Sequence, residues 1–175
     1  MATVQVQMTK ELPRERFEAL VDRHRGIVLK VANTYARLPE DRRDLAQDIM
    51  AQAWKSFSAW DPARPFPTWM YRVALNVAIS HARGSKNRDR HVAIDDGVEP
   101  IHDDDDAREA DDGIRMLYRC IERLDPFDRA LLLLYLDEKS QREIADILGL
   151  SETNVATKIA RLKLRIRNDI HPTGT

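Results

Sequence analysis

The fold is decided by residues 140–167, SQREIADILGLSETNVATKIARLKLRIR, which predict two helices joined by a tight turn. Ser140 is a suitable N-cap, and Glu143 three residues later completes a capping box. Gly149 provides the residue with positive φ that ends the first helix, and Ser151 can cap the second. The second helix carries one apolar stripe, formed by Val155, Ile159, Leu162 and Ile166. This pattern is typical of a helix-turn-helix.

The two predicted helices differ in their surfaces. The first is expected to bury Ile144, Ala145 and Leu148. Outside its apolar stripe the second is basic, with Lys158, Arg161, Lys163, Arg165 and Arg167. Such a helix can lie in the major groove of DNA, where its cations reach the phosphates. An ordinary helical hairpin with a solvated basic face is the alternative interpretation.

The charge of the chain is unevenly distributed, although the net charge of its 175 residues is only −1. Residues 1–94 contain 16 Lys and Arg against 10 Asp and Glu, residues 95–113 contain 1 against 10, and residues 114–175 contain 11 against 9. Two basic segments therefore flank an acidic one. This asymmetry indicates nucleic acid as a partner more clearly than the near-neutral total does.

The composition does not indicate a membrane-spanning, exported, disulfide-bonded or metal-binding protein. The longest apolar run, residues 130–136, is far shorter than the ~20 residues that span a bilayer, and the N-terminus has no apolar signal core. The single Cys120 cannot form an internal disulfide and is expected to be a core residue in a reducing cytoplasm. Because the five histidines are scattered, we predict no metal site and no cofactor.

The N-terminal half predicts a helical unit over residues 13–90. A first helix over residues 13–38 carries the apolar positions Phe17, Leu20, Val21, His24, Ile27, Val28, Val31 and Tyr35, and Pro39 stops it. His24 is expected to be a core or boundary histidine. Asp41 can cap a second helix, which is expected to bury Leu45, Ile49, Ala53, Trp54 and Phe57. Three prolines in residues 61–67 exclude a helix interior and predict a stiff loop.

Thr68 is expected to cap a third helix that combines aromatic and basic side chains. Trp69, Val73, Val77 and Ile79 are expected to pack inward. Tyr71, Arg72, Asn76, Ser80 and Arg83 are expected on the polar face. Bases stack on aromatic side chains while cations follow the phosphates, so this surface suits single-stranded nucleic acid, although Trp69 alone is more often a core residue.

Residues 91–113 predict a flexible acidic linker, since their charge run has no apolar face. A second unit then covers residues 114–170. Its first helix ends near Leu124, Asp125 caps the next with Pro126 in the first turn, and residues 130–136 form a buried helix core. The sequence therefore predicts an all-α protein of two small helical domains joined by this linker.

Over nearly its whole length the chain resembles the small alternative sigma factors of bacterial RNA polymerase, the extracytoplasmic-function type. Residues 44–49, DLAQDI, with Ala-Trp at 53–54, are similar to the helix of sigma region two that binds the β′ clamp helices. Residues 66–76, FPTWMYRVALN, are similar to the segment that melts and reads the −10 promoter element. Residues 124–126, LDP, with residues 140–167 resemble region four, which binds the −35 element and the β flap.

The resemblance implies a polymerase subunit without enzymatic activity, whose partners are RNA polymerase core and promoter DNA. The residues it implies for core binding are Asp44, Gln47 and Asp48. Those for the −10 element are Arg64, Phe66, Trp69, Arg72, Asn76 and Arg83. Those for the −35 element are Ser151, Asn154, Thr157, Lys158, Arg161 and Lys163. Anti-sigma proteins are common partners in this family, but no residue of the sequence identifies one.

The sequence departs from the family pattern at a few positions. The family usually has a basic residue directly after the core valine of the recognition helix, and here Ala156 follows Val155. Asp48 stands where several members have Glu. The acidic run invites a further hypothesis, because the family's connector threads through the polymerase cleft: its carboxylates could imitate nucleic acid there. A solubilising spacer is the equally open alternative.

Two other functions compete with the sigma factor. A stand-alone transcriptional regulator would share the helix-turn-helix, but a sensor unit with strands and a pocket is not visible in the N-terminal half. An enzyme acting on nucleic acid would need a nucleophile motif, a phosphate loop or paired carboxylates in a glycine-rich setting, and none is apparent.

Overall fold

The computed structural model describes residues 13–89, of which 85–89 only as backbone, and residues 119–170. Within these two ranges the chain is helical and contains no β-strand, which confirms the predicted all-α class. The predicted acidic linker of residues 91–113 lies outside the described residues. No helix in the described ranges is long and apolar enough to cross a membrane.

The first unit is a bundle of three helices that all contact one another. Helix α1 spans Pro13–Tyr35, α2 spans Pro39–Ser56, a short 3-10 helix follows at Phe57–Ala59, and α3 spans Phe66–Asp89. The predicted stripe of α1 is confirmed, with Phe17, Val21, Ile27, Val28 and Val31 buried. His24 is half-buried at a kink of α1, as expected for a boundary histidine.

The start of α2 differs from the expectation. Pro39 was expected only to stop α1, and Asp41 to cap the next helix. In the structure α1 ends at Tyr35, Leu38 is the N-cap of α2 without a side-chain hydrogen bond, and Pro39 is its first residue. Proline fits this position because the first helical N–H has no intrahelical partner and φ is already set for the helix.

Helix α3 turns a different face inward than the sequence predicts. It begins at Phe66, two residues before the expected cap Thr68. Its buried side chains are Phe66, Met70, Tyr71, Ala74, Leu75, Ala78 and Ile79. Of the residues expected inside, Ile79 is buried, whereas Trp69, Val73 and Val77 are half-buried. The small side chains of Ala74 and Ala78 let the neighbouring helices approach closely, so the stripe centres on them rather than on the valines.

The burial expected from the sequence is also wrong for two aromatic residues, Tyr71 and Trp54. Tyr71, expected on the polar face, is only 2 % exposed, because the second unit covers it. Trp54, expected inside, is 47 % exposed and meets Phe17 edge-on with ring centroids 5.1 Å apart. Neither position can be derived from helical periodicity alone, since each depends on what the neighbouring elements cover.

The second unit consists of helical residues 119–123, α4 at Pro126–Leu136, α5 at Gln141–Leu148 and α6 at Glu152–Ile170. Asp125 caps α4 as predicted, since its Oδ1 accepts hydrogen bonds from the N–H groups of Phe127 at 2.9 Å and Asp128 at 3.1 Å. Cys120 is buried, as expected. Helix α4 is mostly buried, although Tyr135 and Leu136 at its end are exposed.

The helix-turn-helix has the local structure that its sequence predicts. The Ser140 Oγ accepts from the Glu143 N–H at 3.2 Å, and Glu143 Oε2 accepts from the Ser140 N–H at 2.8 Å, which completes the capping box. Gly149 has a φ of 69° and ends α5. The predicted stripe of α6 is present, with Val155, Ile159 and Leu162 buried and Ile166 half-buried; in α5, Ile147 is buried where Leu148 was expected.

The two units pack against each other, with α4 and α5 of the second unit against α3, and α4 also against α1. The Tyr35 Oη donates to the Pro126 carbonyl oxygen at 2.5 Å, and the Tyr71 Oη donates to Asp137 Oδ2 at 2.6 Å. Burial alone would raise the pKa of Asp137, but the hydrogen bonds from Lys30 and Tyr71 outweigh it and hold that pKa below its usual range. Both units therefore contribute to one continuous core.

We expect Ser140→Ala to lower the free energy of unfolding by about 1 kcal/mol, because the start of α5 loses its cap. Urea unfolding of the full chain measures this difference. The exposed Ser58→Ala, in the 3-10 helix, is the control and should change the stability by less than about 0.5 kcal/mol. Equal stability of Ser140→Ala and the parent would contradict the capping role.

The contribution of the capping box should depend on pH. Hydrogen bonds from the Ser140 backbone and hydroxyl hold the pKa of Glu143 below its usual range. Because the pKa of Glu143 is lower in the folded state, its ionised carboxylate stabilises the protein at a pH above the unfolded-state pKa of about 4.3. This stabilisation is lost as the pH falls through the folded-state pKa. The stability difference between the parent and Ser140→Ala should therefore narrow below about pH 4. A difference that widens there would contradict this assignment.

Gly149→Ala should destabilise the protein by roughly 1–2 kcal/mol, because an L-residue is strained at positive φ. Gly26→Ala, inside α1, is the matched control and should raise the free energy of unfolding by roughly 0.5–1 kcal/mol, because alanine is more favourable than glycine in a helix interior. No atom lies within 4 Å of the added Cβ, so the new methyl group meets no obstacle. Thermal or urea unfolding checks both substitutions. Equal effects of the two would show that the turn does not require positive φ.

Candidate nucleic-acid interface

Helix α2 presents an acidic face to solvent. Asp44, Gln47 and Asp48 are all exposed, while Leu45 and Ile49 on the other side of the helix are fully buried. The three predicted core-binding residues therefore share one accessible face. Carboxylates and an amide in this arrangement can accept hydrogen bonds from arginine side chains of a partner.

An aromatic cluster fixes the loop that precedes α3. The Trp60 ring stacks on Phe57 with centroids 5.7 Å apart and meets Phe66 at 5.3 Å, while Trp69 lies 5.3 Å from Phe66. The loop itself is closed by Asp61, whose Oδ1 accepts from the Ala63 N–H at 2.9 Å. The aromatic rings and this turn together hold residues 61–65 in a defined position at the start of α3.

The six residues predicted for the −10 element differ in their exposure to solvent. Arg64, Arg72, Asn76 and Arg83 are exposed, Trp69 is half-buried, and Phe66 is only 4 % exposed. Phe66 lies inside the aromatic cluster and offers almost no surface to a ligand in this arrangement, because its ring is the apolar centre that Trp60 and Trp69 pack around. Arg72 and Asn76 are four residues apart and therefore lie on one face of α3.

A polar cavity joins this face to the acidic face of α2. It has a volume of about 420 Å³ and is lined by Asp48, Gln52, Asn76, Val77, Ser80 and His81. The predicted core-binding residue Asp48 and the predicted −10 residue Asn76 thus border the same depression. Within the described residues no group of three or more His, Cys, Asp and Glu side chains could hold a metal ion.

Helix α6 exposes most of the residues predicted for the −35 element. Asn154, Thr157 and Arg161 are exposed, and the Ser151 Oγ at the start of the helix accepts from the Asn154 N–H at 3.2 Å. The Thr157 Oγ1 donates to the Thr153 carbonyl oxygen at 3.0 Å. These side chains can face a groove because α6 buries its opposite stripe against α4 and α5.

Lys158 is half-buried because the start of α4 holds it. Its Nζ lies 5.6 Å from the centre of the Phe127 ring, and it borders a cavity of about 230 Å³ with Asp128, Arg161 and Arg165. The Arg165 Nη1 lies 3.8 Å from Asp128 Oδ2. Burial and the hydrogen bond to Asp125 raise the pKa of Asp128, while Lys158 and Arg165 oppose that shift.

The sequence analysis did not identify two residues of this surface, Arg165 and Asp128. Arg165 belongs to the same face as Lys158, and the spacing of seven residues could have shown it. Asp128 could not be found from the sequence, because only the packing of α4 on α6 brings its carboxylate to these cations. Both contribute to the electrostatics of the face that was predicted to read DNA.

Lys163 lies away from the other residues predicted for the −35 element. Its Nζ sits 4.3 Å from the centre of the Tyr135 ring on α4. Lys163 follows Asn154 by nine residues, which is about two and a half helical turns and places the two on opposite sides of α6. The structure therefore does not bring Lys163 to the face formed by Asn154, Thr157 and Arg161.

Comparison with known families and proteins finds matches along both units. The sigma-70 region 2 family matches residues 20–88, and the sigma-70 region 4 family matches residues 114–166. The chain is 25 % identical to the ECF RNA polymerase sigma factor SigW of Bacillus subtilis over 97 % of each chain. It is 29 % identical to the RNA polymerase sigma factor CnrH of Cupriavidus metallidurans over 86 % of this chain and 84 % of that protein.

Two solved structures have a similar fold. One is CnrH in complex with the cytosolic domain of CnrY, with a TM-score of 0.63, 23 % identity, and coverage of 92 % of this chain and 91 % of the other. The second is the sigma factor RpoE of Bartonella quintana in complex with the anti-sigma factor NepR, with a TM-score of 0.61, 16 % identity, and coverage of 93 % and 98 %.

The buried position of Phe66 leads to a prediction about stability. Phe66→Ala should lower the free energy of unfolding by about 3–5 kcal/mol, because it leaves a cavity at the centre of the aromatic cluster. The exposed Arg64→Ala, two residues earlier, should change it by less than about 0.5 kcal/mol. Chemical unfolding followed by tryptophan fluorescence measures both. A Phe66→Ala protein as stable as Arg64→Ala would contradict the buried assignment.

Proposed function

The chain belongs to the extracytoplasmic-function sigma factors of the sigma-70 family, and we propose how its surfaces divide the work of promoter-specific transcription initiation. It is an alternative sigma factor that binds bacterial RNA polymerase core and directs transcription initiation. A stand-alone regulator is not favoured, since the chain matches the sigma-70 region 2 family in addition to the region 4 family.

The acidic face of α2 is the proposed contact with core polymerase. Asp44, Gln47 and Asp48 are exposed on one side of a helix whose other side is fully buried, so they can bind a partner without any change in the bundle. Charge-assisted hydrogen bonds to arginines of the β′ clamp helices would fix this unit on the enzyme. The observation that supports this assignment is the shared exposure of the three side chains.

The loop before α3 and the exposed face of α3 are the proposed contact with the −10 element. Taking a base out of the stack costs a few kcal/mol, so the receiving loop has to be formed in advance. The aromatic cluster around Trp60 and the Asp61 turn provide such a loop. Arg64, Arg72, Asn76 and Arg83 would follow the strand, and Trp69 would contribute its exposed edge, whereas Phe66 would act by supporting Trp60 and Trp69.

The face of α6 formed by Asn154, Thr157, Lys158 and Arg161 is the proposed contact with the −35 element, with Ser151 at its start. Lys158 and Arg161 lie on the same face as Arg165, which can add a phosphate contact. A few phosphate contacts leave non-specific affinities of roughly 10⁻⁴–10⁻⁶ M at physiological salt. The polymerase therefore has to hold both units at the promoter, so that the second contact gains from effective concentration.

The cellular setting and the further partners of the protein are proposed on the same basis. It would act without enzymatic activity of its own, in the cytoplasm where the polymerase works. An anti-sigma factor is a proposed further partner, because RpoE, which has the same fold, is found in complex with one.

Reconstituted transcription tests the proposed −35 contact. The purified full chain and bacterial core polymerase are expected to give discrete run-off transcripts on fragmented genomic DNA. Lys158→Ala should lower their yield about fivefold or more, since a lost groove contact costs ~1–3 kcal/mol. Lys163→Ala removes the same charge from the other side of α6 and should keep the yield within about twofold of the parent.

The results separate the parts of the proposal. Discrete transcripts with equal losses for Lys158→Ala and Lys163→Ala would contradict the assigned face of α6 but not the sigma function. Asp48→Lys should abolish the complex with core, while Asp22→Lys, exposed on α1, should not. Intact core binding by Asp48→Lys would contradict the assigned face of α2.

A further inference from the structure

We propose that Asp128, at the start of α4, is a specificity-determining residue of the −35 contact. Its carboxylate lies beside two cations of the proposed DNA face, Lys158 and Arg165, and repels the phosphates that those cations attract. Asp128 thereby weakens attachment to DNA of arbitrary sequence and keeps Lys158 available for a base contact. This role rests on the proposed −35 contact of α6, to which it adds an acidic residue from a neighbouring helix.

The Asp128 carboxylate is directed at α6 and not at its own helix cap. Asp125 is the cap, because its Oδ1 accepts from the N–H groups of Phe127 and Asp128. The Asp128 Oδ2 lies 3.8 Å from the Arg165 Nη1. The side chains of Asp128 and Arg165 are 27 % and 50 % exposed, so a molecule that lies along α6 can reach both. A carboxylate from α4 is therefore part of the surface that was predicted to read DNA.

Lys158 is restricted by two residues in the first turn of α4. Its Nζ lies 5.6 Å from the centre of the Phe127 ring, a distance at which an ammonium is attracted to an aromatic face. Burial and Asp125 raise the pKa of Asp128, and the positive charge of Lys158 opposes that shift because it attracts the ionised carboxylate. A lysine on an open surface is a flexible point charge that can follow any nearby phosphate. Phe127 and Asp128 together limit that freedom.

A depression between α4 and α6 brings both signs of charge together. Its volume is about 230 Å³, and it is lined by Asp128, Lys158, Arg161, Leu162 and Arg165. A phosphate that entered it would be attracted by three cations and repelled by one carboxylate, because like charges a few ångströms apart destabilise each other. Base edges in the major groove present hydrogen-bonding groups without a net charge, so the carboxylate repels them much less. Asp128 therefore acts against phosphates more than against bases.

This difference matters because the two kinds of contact have different effects on specificity. Phosphate contacts supply essentially all of the affinity for DNA of arbitrary sequence, whereas contacts to base edges carry the sequence information. Sites of arbitrary sequence far outnumber promoters, so the ratio of the two affinities decides where the protein is found. A residue that lowers only the phosphate contribution improves this ratio.

Binding of the free full chain to a short, fluorescently labelled duplex of arbitrary sequence tests the effect on phosphates. Asp128→Asn keeps the shape of the side chain and removes its charge. We expect it to raise the affinity roughly three- to tenfold and to steepen the slope of log K against log salt by up to about 0.9, the value for one further phosphate contact. Asp128→Glu, which keeps the charge, should stay close to the parent.

Two controls separate this effect from a change of net charge or of stability. Glu138→Gln removes the same charge from an exposed position just beyond the other end of α4, roughly 15 Å away and outside the screening length of about 8 Å at physiological salt. It should leave the affinity unchanged. In a chain that already carries Lys158→Ala and Arg165→Ala, Asp128→Asn should lose most of its effect, because the cations beside it are gone. Melting temperatures verify that all variants are folded.

Transcription in the presence of competitor DNA tests the effect on promoter choice. Core polymerase and the full chain are given a promoter fragment together with an increasing excess of duplex DNA of arbitrary sequence. We expect the Asp128→Asn protein to lose half of its run-off yield at about a third or less of the competitor concentration that the parent requires. Glu138→Gln should require the same concentration as the parent.

Each result decides one part of the proposal. An unchanged or lower affinity of Asp128→Asn for the arbitrary duplex would overturn the repulsion of phosphates, and so would an equal gain by Glu138→Gln. A raised affinity with an unchanged response to competitor would overturn the role in promoter choice. If the protein gave no transcripts at all while Asp128→Asn still bound the arbitrary duplex more tightly, the proposed function would fail and the repulsion of phosphates by Asp128 would stand.

Discussion

The packing of α3 determines how the two units fit together. This helix contacts α1 and α2 on one side and α4 and α5 on the other, so it belongs to the interior of both units. Ala74 and Ala78 are fully buried and allow these close approaches. The same helix exposes Arg72 and Asn76 and begins at the aromatic cluster. Its orientation therefore sets which side chains are exposed to a partner and which hold the molecule together.

Local features of this fold follow from the sequence more reliably than tertiary ones. The capping box of Ser140 and Glu143, the αL turn at Gly149 and the stripe of α6 are encoded within a few residues, and the structure has all of them. The inward face of α3 is different, because Val73 and Val77 compete with the small Ala74 and Ala78 for the interior. Periodicity cannot decide that competition, since it depends on the space that the neighbouring helices leave.

In the candidate site, too, local features follow from the sequence and tertiary contacts do not. Exposure of Asp44, Gln47 and Asp48 follows from the helix period, because Leu45 and Ile49 face inward. The burial of Phe66, the contact of Lys163 with Tyr135 and the position of Asp128 beside Arg165 all depend on contacts between distant segments. The docking of Asp137 on Tyr71 joins positions 66 residues apart and could not be predicted from either motif. The family resemblance indicated which segments matter but not how they face each other.

We propose that the two units contact different promoter elements, the −35 element by one face of α6 and the −10 element by the loop before α3. Hydroxyl-radical cleavage in the complex with core polymerase and promoter DNA measures this directly. An iron chelate is attached to Arg64→Cys, Thr157→Cys or Lys163→Cys, all exposed positions, with Cys120→Ala to prevent labelling of the native cysteine. We expect Arg64→Cys to cut DNA near the −10 element and Thr157→Cys to cut near the −35 element, while Lys163→Cys, on the other side of α6, cuts there much less. Equal cleavage near the −35 element from Thr157→Cys and Lys163→Cys would contradict the assigned face of α6, and cleavage of the same element from Arg64→Cys and Thr157→Cys would contradict the division between the units.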